Sequence, residues 1–211
     1  MSDRKKKRRQ RDLERKLKSG FDAAIARLTA QLDQDPTDEA ARLKRAQLYS
    51  ENGDYELAIQ EFAKCEAEPF LALFERAWCH IRLGDYNEAL RLANRGIEED
   101  PESKVSSYLV RAIARVNLGT NTQRQLAVED LEQALAIDPE CVQALIIKGD
   151  TLESLDRNEE AIEAFDAAIA LAPWYSEAWA GRSSCYHNLG NEEQGQSDYA
   201  QAVRLDPDNY S

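Results

Sequence analysis

The chain holds 211 residues, 43% of them hydrophobic and 31% charged, enough apolar content for a packed core and too much for a disordered tail. Its net charge of −12 sets the body of the chain against nucleic-acid phosphates as partners. No apolar run approaches the roughly 18 residues of a membrane span, and the basic start lacks the apolar stretch of a secretory signal. A cytoplasmic protein is therefore expected, with nuclear import through the basic run as the alternative.

Residues 1–20 carry ten Lys and Arg against three Asp and Glu, a net of +7 that leaves −19 for residues 21–211. This stretch reads as a basic N-terminal segment, partly helical or flexible. Lys5, Lys6, Lys7, Arg8 and Arg9 are candidate contacts for an acidic partner. A nuclear import signal, an acidic-lipid or nucleic-acid contact, and a solvated helix end are the other readings. No aromatic residue is interleaved, so base stacking is not suggested.

From residue 21 onward proline punctuates the chain at Pro36, Pro69, Pro101, Pro139, Pro173 and Pro207, in steps of 33, 32, 38, 34 and 34 residues. Each proline stops a helix and disfavours helix in the residue before it. Residues 21–38 read as the second helix of a partial unit, with Phe21, Ala24 and Leu28 on its packed side. Full units follow at 39–69, 70–104, 105–141, 142–175 and 176–209, each predicting two antiparallel helices. Gly53, Gly84, Gly119 and Gly190 mark the turn inside four units, and Asp156 stands there in the other. The first full unit is short. The third spaces Gly119 from Ala127 by eight residues where the others use five, which predicts a longer turn or an added helical start.

Counting Val142 and Ser176 as position 1 of their units, small residues fall at position 8 (Ala46, Ala77, Ala112, Gly149, Ser183) and position 20 (Ala58, Ala89, Ala127, Ala161, Gly195). Two helices approach closely only where side chains are small, so these positions face each other at the crossing. Position 24 supplies the large knob beside that gap, as Phe62, Leu131, Phe165 and Tyr199. Position 7 is basic throughout: Arg45, Arg76, Arg111, Lys148 and Arg182. The favoured reading is a long side chain laid over the seam between repeats towards acidic neighbours, ahead of a cationic ladder for a ligand.

This pattern, with the phrase LGDYNEAL at Leu83–Leu90 and Trp179 at position 4, resembles the tetratricopeptide repeat over residues 21–211. The resemblance implies an all-α fold, a right-handed superhelical α-solenoid of antiparallel helix pairs. It also implies that the first helices line a concave face through positions 2, 5, 6, 9, 12 and 13. On those positions the middle units place Leu71, Phe74, Trp78 and Ile81, then Leu109, Val110, Ile113 and Val116, then Ile146 and Ile147. These ten are the candidate partner-binding groove. The outer units offer mostly polar groups there: Lys44, Gln47, Ser50 and Glu51, then Glu177, Ser184, His187 and Asn188.

The same helices also bury Leu73, Ala77, Tyr108 and Ala112 on another face. A helix apolar all round is covered all round, here by a partner or by the chain itself. Trp78 is the natural anchor, since tryptophan dominates binding hot spots. Chaperone-tail binders of the family clamp an acidic peptide with Lys, Asn and Arg at set positions. This chain has Leu43, Gln47, Glu75, Ser106 and Val110 there, which disfavours a co-chaperone.

Catalytic, cofactor and metal sites are not expected. The HExxH, GxSxG, GxxxxGK[ST] and GxGxxG patterns are missing, and acidic pairs such as Glu159–Glu160 fall on solvated helix faces. Cys65, Cys79, Cys141 and Cys185 are too far apart for a zinc motif, even with His80 and His187 nearby, and read as small buried apolar residues. The expected function is a non-enzymatic interaction module holding a helix or extended peptide of a partner protein in an apolar groove. The alternative is a structural subunit of a larger assembly, using the uncapped C-terminal helix for self-association and the basic N-terminus as a further contact.

Overall fold

The computed structural model describes residues 3–66, 69–99 and 104–210, with side chains from residue 18 onward outside residues 67–70 and 100–103. Among the described residues the regular elements are helices: α1 (Asp3–Gln34), α2 (Glu39–Asn52), α3 (Tyr55–Phe62), α4 (Pro69–Leu83), α5 (Tyr86–Glu99), α6 (Lys104–Asn117), α7 (Asn121–Ile137), α8 (Val142–Glu153), α9 (Asn158–Leu171), α10 (Ser176–Asn188) and α11 (Glu192–Leu205). They form two compact units, residues 1–88 and 89–211. No described helix is long and apolar enough to cross a membrane.

The basic segment and the partial unit are one element. α1 runs unbroken through Gly20, so the helix has no boundary at residue 20. The reason is local: Lys, Arg, Glu and Gln are good helix formers, and a single helical glycine costs only about 1 kcal/mol. The side chains of Lys5, Lys6, Lys7, Arg8 and Arg9 lie outside the described residues.

In the first unit, the Asp38 carboxylate caps α2 by accepting from the Ala41 amide at 2.9 Å. Ala46 and Ala58, at positions 8 and 20, are fully buried and let α2 and α3 close around Phe62, with Ala72 and Cys79 of α4 completing the core. In the second unit, the three extra residues near Gly119 become an added helical start: Thr120 caps α7 by accepting from the Gln123 amide. Asp156 takes the turn position with φ 59°, where the four turn glycines lie at 76–88°.

The closest crossing surrounds Phe165. A Cβ on Gly149 of α8 would fall 2.6 Å from its ring, and one on Gly181 of α10 would fall 2.3 Å away. Glycine at both places is thus the space the ring occupies. The equivalent Tyr199 of α11 is 48% exposed.

Position 7 does bridge the seams. Arg45 donates to Glu61 (Nε to Oε2, 3.0 Å) and to Thr29 of α1 (3.1 Å). Arg111 donates to Asp130 (Nη2 to Oδ1, 2.6 Å) and to Asn94 (2.7 Å). Arg182 donates to Asp198 (2.7 and 2.9 Å) and pairs with Asp166. In each case the acid sits at position 23 of the same unit and a second acceptor at position 25 of the unit before. Lys148, whose unit has Ala164 at position 23, reaches only Glu132, at 3.1 Å. Burial opposes charge on Glu61, but the hydrogen bonds from Arg45 and Lys64 outweigh it and hold that carboxyl below its ordinary range.

Candidate functional site

Each unit opens a pocket on its first helices. In the first unit a pocket of about 390 Å³ is lined by Gln47, Ser50 and Glu51 of α2, Tyr55 of α3, and Glu75, Trp78 and Arg82 of α4. Its shape follows from the sequence spacing. Positions 9, 12 and 13 of α2 stand on one helical face, and positions 6, 9 and 13 of α4 stand on the facing one. The small Ala46 and Ala58 seat the hairpin beneath. Arg82 Nε donates to Tyr55 Oη at 3.0 Å, and its guanidinium lies 5.6 Å from the centre of the tyrosine ring. Burial, with the charge of Glu51 second, raises the carboxyl of Glu75 above its ordinary range.

In the second unit a pocket of about 410 Å³ is lined by Gln143, Ile146 and Ile147 of α8, by Tyr175, and by Glu177 of α10. Asp150 follows one turn along α8. Its surface is open to solvent, yet protein crowds around its carboxyl. That burial, followed by Glu153 and Glu177, pushes its pKa up to about 6. Glu153 is held in place, accepting from Ser184 and from Asn188 at 3.4 Å.

Asp150 is thus a cost to the fold at neutral pH. Its folded pKa lies above the ordinary 3.8 of an aspartate, so the folded chain keeps a proton that the unfolded chain has lost, and stability falls as pH rises from about 4 to about 6. Asp150→Asn should raise the unfolding temperature by about 2–4 °C at pH 7.5, a gain of about 1 kcal/mol after allowing for solvent screening at an exposed group. The gain should vanish near pH 3. Thermal melts followed by circular dichroism decide this, and an equal gain at both pH values would mean that the charge is not the cause.

Two of the ten strip residues are buried in the fold. Leu109 is 9% exposed and Val110 1%. Leu109 packs with Ala112, Ala127, Leu131, Ala134 and Ala144, because α6 is covered by both α7 and α8. Leu71, Phe74, Trp78, Ile81 and Ile113 are half-buried. Val116 and Ile147 lean on the core around Leu131, and Ile146 leans on the one around Phe165. Tyr55 and Tyr175 were not in the strip, because Tyr55 opens the second helix α3 and Tyr175 lies in the connection before α10, so neither stands on a first-helix face. Their aromatic character beside the turn is the sequence signal that could have found them.

Three of the four cysteines, Cys65, Cys79 and Cys185, are buried as expected, whereas Cys141 is half-buried. Burial, with Glu153 and Asp150 behind it, pushes the Cys185 thiol up to about 12, far from a reactive thiolate at neutral pH.

Models described as Tetratricopeptide repeat match residues 20–68, 70–103, 117–176 and 176–209. The chain is 25% identical over 190 residues to the Hsp70-Hsp90 organizing protein of Triticum aestivum, a match covering 73% of this chain and 33% of that protein. It is 33% identical over 133 residues to the DnaJ homolog subfamily C member 7 homolog of Dictyostelium discoideum, covering 57% of this chain and 25% of that one. The chain therefore spans a third or less of the length of these relatives. Among solved structures it is similar to TTC0263, a thermophilic TPR protein of Thermus thermophilus, with TM-score 0.68 and 20% identity, covering 81% of this chain and 93% of that one. It is also similar to YrrB, a TPR protein with an unusual peptide-binding site, with TM-score 0.61 and 19% identity over 86% and 93%. These likenesses establish an all-α solenoid built from helix hairpins.

Proposed function

The chain belongs to the tetratricopeptide repeat family, and from that premise we propose that it is a non-enzymatic interaction module, acting in the cytoplasm, that holds a helix or extended segment of a partner protein against its first helices. One observation carries this reading. Every first-helix residue lining these two pockets falls on the positions expected to face a partner, Gln47, Ser50, Glu51, Glu75, Trp78 and Arg82 in the first unit and Gln143, Ile146, Ile147 and Glu177 in the second, while a smaller recess of about 180 Å³ beside Leu145 and Lys148 lies off those positions. Large apolar side chains stand half-exposed among polar ones, the composition of a binding patch with a polar rim. Leu71, Phe74, Trp78 and Ile81 would serve the first unit. Ile113, Val116, Ile146 and Ile147 would serve the second.

The relatives named Hsp70-Hsp90 organizing protein raise the question of a chaperone tail. The residues here argue otherwise. Glu75 stands where an acidic tail would need a neutral or basic group, it already faces Glu51, and Val110 is buried. An acidic peptide would add a third negative charge beside the half-buried Glu75.

Trp78→Ala should weaken binding of the partner about 30-fold, the effect of losing about 2 kcal/mol at a hot spot. Affinity capture with mass spectrometry on the wild-type chain would supply the partner, and calorimetry on both chains would measure the change. Helical circular dichroism must survive in the variant. Equal affinity for both chains would remove Trp78 from the site, and lost helicity would make it a core residue instead.

A further inference from the structure

Glu51 and Glu75 line the first unit's pocket without a cation of their own. Among the described residues neither makes a hydrogen bond or an ion pair. This contrasts with the three fully buried carboxylates. Glu61, Asp130 and Asp198 each receive an arginine. The one basic residue lining the pocket, Arg82, is engaged elsewhere, on the hydroxyl and ring face of Tyr55. Glu75 is half-buried and feels the charge of Glu51, so two acids share a recess that withholds water from at least one of them. The half-buried indole of Trp78 lines the same recess.

These surroundings fit one kind of side chain. A guanidinium is flat, keeps its charge at every physiological pH, stacks on an indole face, and presents a fork of N–H donors to carboxylates. An ammonium meets the charge but not the stacking geometry. A neutral apolar side chain would cover the tryptophan and leave both carboxylates drier and still unpaired. We propose that this pocket is a socket for a basic side chain, arginine before lysine, carried by the polypeptide segment that the module holds. The proposal rests on the reading of the chain as a peptide-binding module and adds the chemistry of the partner.

A phage-displayed peptide library selected on the full chain is the test. Selected peptides should share a basic residue at one position, and replacing an arginine there by the neutral isostere citrulline should weaken binding about tenfold or more. The double variant Glu51→Gln, Glu75→Gln should bind the arginine and citrulline forms of the peptide equally. It should keep its helical signal and melt no lower than the wild type, since the change removes a repulsion. Three results would overturn the socket while leaving the module intact: peptides selected without a basic residue, no penalty for citrulline, or full discrimination retained in the double variant. A library that yields no binder at all would overturn the module reading, and the socket with it.

Discussion

Phe165→Ala is expected to destabilise the second unit by about 3–5 kcal/mol, the range for deleting a fully buried aromatic ring. Phe165 has no exposed surface, and its ring touches three helices. It rises from α9, lies over the backbone of α8 at Gly149, and meets α10 at Gly181. Leu152, Ala161, Ala178 and Cys185 close the space around it. Those neighbours are short or already fully buried, so none can swing in to fill the hole. The helices cannot simply settle inward either, because their spacing at this point is set by glycine backbone meeting ring. The loss should therefore sit near the top of the range. In a repeat protein each unit is stabilised mainly by its neighbours. Amide exchange should accordingly rise in α8, α9 and α10 while the Phe62 core of the first unit keeps its protection. Urea unfolding followed by circular dichroism measures the size of the effect, and a loss below about 1 kcal/mol would mean that the ring is not the keystone of this crossing. Phe165→Leu, which keeps most of the volume, should lose distinctly less.

The period and the small residues made the hairpins legible, because both are consequences of local chemistry. Proline stops a helix wherever it stands, and Ala46 or Gly149 permits a close crossing whatever else the chain does. Three things were not legible, the last two because they depend on what lies across a gap in space. The continuity of α1 is one. Nothing in residues 1–20 breaks a helix, but only the geometry shows that it runs on through Gly20 into the packed part. The burial of Leu109 and Val110 is another. A face pattern says that a side is apolar, and not whether the next hairpin or a foreign chain will cover it. The identity of the acids that pair with position 7 is the third. The basic residues were visible as a column, and so were Glu61, Asp130 and Asp198, but the two columns lie 16 or 19 residues apart on different helices. No single-helix periodicity links them. The candidate site was partly legible in the same way. Trp78 and the Ile146–Ile147 pair line pockets from first helices, whereas Tyr55 at the start of α3 and Tyr175 before α10 complete those pockets from outside any first helix.

Asp130→Leu is expected to cost about 3–5 kcal/mol, for an electrostatic reason rather than a cavity. Asp130 is 2% exposed and sits between two guanidinium groups. Arg111 donates to it through Nε at 3.0 Å and Nη2 at 2.6 Å, and Arg115 donates through Nη1 at 2.6 Å. Burial already lowers the pKa of Arg115, and the charge of Arg111 works in the same direction; Asp130, with a lesser contribution from Glu129, opposes them. Removing the carboxylate leaves two half-buried cations facing each other with no anion between. Arg115 retains only its bond to the Leu126 carbonyl, and Arg111 its bond to Asn94. A leucine in place of the aspartate fills the volume but cannot answer the charge. The origin of the loss can be separated from simple packing damage. The triple variant Asp130→Leu, Arg111→Met, Arg115→Met removes all three charges together and should regain most of the stability lost by Asp130→Leu alone, because replacing a whole buried ion cluster with apolar side chains is close to neutral. Added salt should not rescue the single variant, since a pair this recessed is only weakly screened. If the triple variant is as unstable as the single one, the network stabilises the hairpin through shape, and the acid at position 23 is not the counter-charge that this geometry makes it.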